Sequence, residues 1–290
     1  MKYILVKAFW KLFSHTPLSV MYILSDGLFF LFYHVIRYRR KITRKNLVES
    51  FPEKSLEEIV KTERAFYHFF LDVFMETCKV ATISIEEIKR RMRFTNMDLL
   101  CQSLNNQVSV SLYLGHYGNW EWVSSFPLHM KGDIISGQIY QPLTNQEINR
   151  LMRENRSRFG AINIEKKETL RWINKQIKNN STTIVGYIAD QTPRARNLKH
   201  FLPFLNHEAP VLTGTETITK RYGMDAYYLE IKRPKRGYYE ATFVKMDDDP
   251  KQLPDFRLTE IYYRYLENTI RSRPELYLWT HNRFRYAKYE

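Results

Sequence analysis

The rhythm of hydrophobic and polar positions changes near residue 105. Before it, apolar residues recur at helical spacing or in one long run. After it, short β-rich runs alternate with helical stretches. The opening "YILVKAFWKLF" is amphipathic, with Lys7 and Lys11 four apart on one helical face. Residues 17–36, "PLSVMYILSDGLFFLFYHVI", are about long enough to cross a bilayer, although they contain Asp26 and His34. No small-residue cleavage site follows, so this is not a cleaved signal peptide. "FPEKSLEEIVKTERAFYHFFLDVFMETCKVATIS" predicts a Pro turn and then a long helix, with Ser55 and Glu58 as a capping box. Its stripe of Leu56, Ile59, Val60, Phe66, Phe69, Phe70, Val73 and Phe74 is expected to face the core. "SIEEIKRRM" predicts a short helix with a Ser cap.

Strands are expected at 108–114, 133–140, 182–189, 225–233 and 238–246. Helical stretches lie between them in "TNQEINRLMRENRSRFG", "ETLRWINKQIKNN" and "TGTETITKRYG". "KRPKRGYY" turns the last strand pair into a hairpin, and "TEIYYRYLENTIRSRPELYLWT" is a helix stopped near Pro274. The expected fold class is therefore α/β, a single domain with a mostly parallel mixed sheet flanked by helices. Residues 1–45 are expected to form an N-terminal membrane-associated helical anchor, and residues 46–290 the α/β domain.

Composition narrows the function classes. A 290-residue chain that is 44% hydrophobic and 15% aromatic is not disordered. Lys and Arg exceed Asp and Glu by 14, in short clusters such as "RYRRKITRK", "KRRMR" and "KRPKR". A basic surface favours phosphate-bearing or acidic partners. No recognition helix, zinc-finger spacing or RNP-like motif accompanies it, so no nucleic-acid partner is expected. The basic cluster from Arg37 to Lys45 follows the apolar run, as in a helix held at anionic headgroups. Spanning and interfacial seats both stay open, as does a buried helix pair. Cys78 and Cys101 are far apart and lack metal-ligand spacing, which argues against a disulfide framework or a zinc site.

Candidate chemistry gathers at two strand ends, where open α/β sheets place ligands. "LGHYGNWEW" sets His116 five residues before Glu121, and "ADQTP" at 189–193 follows a second strand. A histidine near a carboxylate suits a general base, although a histidine at a strand end also serves as a plain structural residue. No G-x-S-x-G, Walker loop, G-x-G-x-x-G or H-E-x-x-H is present. A base without a nucleophile of its own points to transfer onto a substrate hydroxyl.

"GHYGNWEW" resembles the H-x4-D/E motif of glycerolipid-type acyltransferases, in the H-x-G-N-W-E form of the bacterial lipid A secondary (late) acyltransferases. The resemblance continues in order through "YRRKITRKNLVESFPEKS", "IYQPLTNQEINRLMRENRSRFGA" with its Arg156–Ser157 pair, "ADQTP", "FLPFLNHEAPVLTGTETITKRYG" and "RSRPELYLWTHNRFR". It covers nearly the whole chain. "TPRARN" and "FLNHEAP" depart from the usual pattern at positions that shape an acyl or acceptor pocket. The resemblance implies acyl transfer from an acyl carrier protein thioester to a hydroxyl of a lipid A precursor. The expected seat is the cytoplasmic leaflet of the bacterial inner membrane, with no cofactor and no metal. Other membrane-lipid acceptors, or a non-catalytic basic membrane-binding protein, are the alternatives. His116 is expected to act as base with Glu121 orienting it. Backbone N–H groups around Gly118 and Asn119 and the Arg156 guanidinium are candidate oxyanion donors. Asp190 and Gln191 are expected to position the acceptor or support the site, and Trp279, His281 and Arg283 to close it or pack near it.

Overall fold

The computed structural model describes residues 2–130, 132 and 134–288. Its N-terminal part is helical: α1 (Lys2–Ser14), α2 (Leu18–Phe29) continued by a π-helical turn over Phe30–Val35, α3 (Arg40–Ser50), α4 (Leu56–Lys79) and α5 (Ile85–Arg91). The Ser55–Glu58 capping box that starts α4 is formed in both directions. On α4, Ile59, Phe66, Phe69 and Val73 are buried as the stripe predicts, but Leu56 and Phe74 are exposed. Leu56 lies in the first turn, ahead of the packed region. At the far end, Asp72 and Glu76 take the buried positions instead.

The helix from Leu18 to Val35 is long and apolar enough to cross a membrane, and 28% of it is buried in the protein. Its buried side consists of Leu18, Met21, Ser25 and Phe29, with Tyr33 of the π-helical turn. These residues pack α2 along α4. Ile23, Phe30 and Val35 point outward, as do Phe9 and Leu12 of α1.

The sheet is built from β1 (Met92–Thr95), β2 (Val110–Leu114), β3 (Ile135–Tyr140), β4 (Ile162–Glu165), β5 (Thr183–Ile188), β8 (Asp225–Lys235) and β9 (Tyr238–Lys245). The order is β1-β9-β8-β2-β5-β3-β4. All pairs are parallel except the β8–β9 hairpin, so the mixed, mostly parallel α/β sheet expected from the sequence is present. The remaining pair, β6 (Phe201–Phe204) and β7 (His207–Pro210), forms a separate two-stranded hairpin. Flanking helices are α6 (Met97–Asn105), α7 (Gln146–Ser157), α8 (Thr169–Lys178), α9 (Gly214–Tyr222) and α10 (Arg257–Ser272). The start of the strand expected at residue 133 lies outside the described residues.

Central β2 is buried at every position, as a strand covered on both faces must be. Tyr262 and Tyr263 of α10 donate to the carbonyls of Leu114 and Ala189, both at 2.9 Å. Two adjacent side chains of one helix thus hold the ends of the two central strands.

Candidate active site

Parallel β2 and β5 pair in register, with Leu114 opposite Ile188. His116 and Asp190 each follow two residues later, so equal steps past a shared sheet edge bring them together. His116 Nδ1 lies 2.7 Å from Asp190 Oδ1, and its backbone N–H donates to Oδ2 at 3.1 Å. Asp190 is 1% exposed. Burial alone raises a carboxyl's pKa, but the charge and hydrogen bonds of His116 outweigh it and hold Asp190 below the usual range. An ionised Asp190 accepts a hydrogen bond from Nδ1–H, and in the neutral ring that tautomer puts the lone pair on Nε2. The Gln191 amide nitrogen faces that Nε2 at 3.3 Å.

The expected pairing of Glu121 with His116 is therefore corrected. Glu121 accepts from Arg156, with Nε at 2.8 Å on one oxygen and Nη2 at 2.5 Å on the other. The fork-to-carboxylate geometry suits guanidinium and aligns it. Arg156 arrives from the C-terminal turn of α7, which starts on an Asn145 cap. Its backbone carbonyl accepts from Gln138 of β3 at 2.9 Å. Sequence proximity favoured Glu121 as the histidine's partner, whereas sheet register delivers Asp190.

The turn between His116 and Glu121 is held from outside. Gly118 N–H donates to Leu276 O and Leu278 N–H to His116 O, both at 3.0 Å, so 116–118 pairs with 276–278 like a short antiparallel strand. With its N–H engaged by Leu276, Gly118 does not fit the expected role of oxyanion donor. Its φ of +59° and the approach of Ile231, 2.5 Å from where a Cβ would sit, require glycine. Asn119 is fully buried and its Oδ1 accepts from Trp122 N–H at 2.9 Å. Trp120 meets the His116 ring edge-on, centroids 5.4 Å apart.

The C-terminal residues border the site from another side. His281 Nε2 accepts from Thr192 N–H at 3.3 Å. Burial lowers its pKa to about 4, against the pull of Asp190, so the ring is neutral near pH 7. Arg283 is 1% exposed, its guanidinium set among the Phe204, Tyr263 and Phe284 rings. Trp279 packs in the core against Phe51 and Tyr277. Asn46 of α3 donates to the carbonyls of Trp279 and His281, and Arg39 to that of Thr280. "FLNHEAP" forms the turn and second strand of the β6–β7 hairpin.

Chemically, the site offers a carboxylate-oriented imidazole with its basic nitrogen turned away from the carboxylate. Five residues further along the same loop, a second carboxylate, Glu121, aligns the guanidinium that α7 brings to it. Among the described residues, no cluster of His, Cys, Asp or Glu is arranged to hold a metal ion. A family model described as bacterial lipid A biosynthesis acyltransferase matches residues 1–286 of the chain. No curated protein matches it.

Proposed function

The chain belongs to the bacterial lipid A biosynthesis acyltransferase family, and from that premise we propose that it moves a fatty acyl group from an acyl carrier protein thioester to a hydroxyl. The hydroxyl is that of a 3-hydroxyacyl chain already on a glucosamine-based lipid A precursor. The observation that carries this reading is the Asp190–His116 pair, with Nε2 available for an acceptor hydroxyl in the place where Gln191 now sits.

Nε2 takes the hydroxyl proton as the oxygen bonds to the thioester carbonyl carbon. Asp190 stabilises the imidazolium so formed. The tetrahedral intermediate then collapses, the C–S bond breaks, and the departing thiolate of the carrier takes the proton back from His116. General-base assistance of this kind contributes about 10²–10⁴-fold. Arg156, aligned by Glu121, offers its remaining N–H groups to the developing oxyanion. The thioester is a co-substrate, and the scheme calls for no cofactor.

The surroundings support the same reading. A formal net charge of +14 suits an acidic carrier protein and a phosphate-bearing lipid. Phe9, Leu12, Ile23, Phe30 and Val35 form an outward apolar set beside the basic cluster at 37–45. We place this set in the cytoplasmic leaflet of the inner membrane. Because α2 lies along α4 through buried side chains, an interfacial seat fits better than a span.

Mass spectrometry of lipid A from host cells with the intact gene, a deletion, and His116→Ala tests the proposal. Loss of one secondary acyl chain in both altered strains is expected. Unchanged lipid A in all three would remove lipid A as the acceptor.

A further inference from the structure

A buried carboxylate outside the pairs described above joins three parts of the molecule. Glu76 of α4 is fully buried. Its Oε2 accepts from Asn119 Nδ2 at 2.7 Å and from the Tyr239 hydroxyl of β9 at 2.8 Å. Its Oε1 accepts from the Tyr22 hydroxyl of α2 at 2.8 Å, and its main-chain carbonyl from Trp122 Nε1 at 3.0 Å. Asn119 is thereby held at both ends, with Nδ2 on Glu76 and Oδ1 on the Trp122 N–H.

We propose that Glu76 is a positioning residue for acyl transfer: it holds the Asn119 amide, and with it the turn that sets His116 and Glu121 apart, and ties that turn to the lipid-facing helix α2 through Tyr22. The inference rests on the reading of His116 as the base. A leucine would serve packing on α4 equally well, whereas a buried carboxylate costs stability unless its partners need it. Here donors from α2, from the 116–122 turn and from β9 converge on it. Burial pushes its pKa up to about 7, against the opposing charge of Arg233. The contact to Asn119 can be reversed in polarity, which gives the test.

Steady-state kinetics on the full chain in lipid–detergent micelles would use palmitoyl-acyl carrier protein and a 3-hydroxyacylated glucosamine-disaccharide phospholipid. Asn119→Asp, assayed well above pH 7 so that Glu76 is ionised, sets two carboxylates against each other at the 2.7 Å contact. It is expected to lower kcat about 10²-fold, with both KM values within about 2-fold, as a small misplacement of catalytic groups does. Glu76→Gln keeps an acceptor for Asn119 while the Tyr22 hydroxyl turns to accept, so it should lower kcat only about 3-fold. In the combined Glu76→Gln/Asn119→Asp variant the Gln amide donates to the Asp, and kcat should return to within about 5-fold of the parent. A folded Asn119→Asp with parental kcat, or a combined variant as slow as Asn119→Asp, overturns the proposal. Should Asn119→Asp fail to fold, the combined variant decides alone: near-parental kcat supports the assignment, and low kcat or failure to fold overturns it. His116→Ala is run in parallel. Transfer that survives it overturns the base reading instead, whatever the Glu76 variants do.

Discussion

His116 and Asp190 are 74 positions apart in sequence and 2.7 Å apart in space. Both residues stand out in the sequence as polar clusters at strand ends, but their partnership does not, because it follows from the register of β2 on β5. Asp190→Asn is expected to lower kcat by about 10²–10⁴-fold with melting little changed. Glu121 holds the Arg156 guanidinium by two hydrogen bonds; on the proposed mechanism Glu121→Gln and Arg156→Lys should each slow the reaction, and the double variant should be little slower than either. Glu76 escapes sequence reading because it falls within an apolar helix; its one signal is Asp72 four positions earlier, a second carboxylate on the same face. Its folded pKa of about 7 lies above the ordinary carboxyl value. The folded state therefore binds the extra proton, and this contribution to stability is full below about pH 4.5 and lost as pH rises through 7. Glu76→Gln should raise the melting temperature relative to the parent more at pH 8 than at pH 4.5. His281 runs the other way. Its pKa of about 4 lies below the free value, so stability present above about pH 6.5 is lost as pH falls through 4. Thermal melts of His281→Gln across that window should fall less steeply than those of the parent.

Among the elements, the long and strongly patterned ones are legible in the sequence: α4 with its capping box, α10 ending just before Pro274, and the β8–β9 hairpin. β1, β4, β6 and β7 are not, since each has four residues and none shows enough alternation to stand out from its neighbours. The contact of α2 with α4 is held by more than apolar packing. Asp72 accepts from Ser25 and from Arg233 and Arg236 of the β8–β9 hairpin, and Arg236 also reaches Asp26. Asp72→Ala leaves two arginines without that carboxylate and should cost about 3–5 kcal/mol in chemical denaturation. At the turn, Gly118→Ala combines a positive φ with a clash on Ile231. It should lower both stability and kcat, and Ile231→Ala should restore only the part due to the clash.

At the scale of the whole molecule, the proposed function asks one basic surface to serve a carrier protein, a phosphorylated lipid and a membrane. Exposed charges are screened within about 8 Å at 0.15 M salt. The KM for acyl carrier protein should therefore rise as salt increases, with kcat nearly constant, which initial rates at several salt concentrations would read. The sequence resemblance reaches the family directly, while the spatial division into an Asp190–His116 pair and a Glu121–Arg156 pair comes only from the fold. The pairing of residues 116–118 with 276–278 imposes an order on biosynthesis. As the chain leaves the ribosome, every strand of the seven-stranded sheet is made before Leu276 exists. The nascent protein can thus have its whole sheet in hand while the histidine's turn still lacks the segment that braces it. On the proposed mechanism, a chain ended before Leu276 would hold His116 and Asp190 but not the brace on the turn between His116 and Glu121, and should transfer no acyl group.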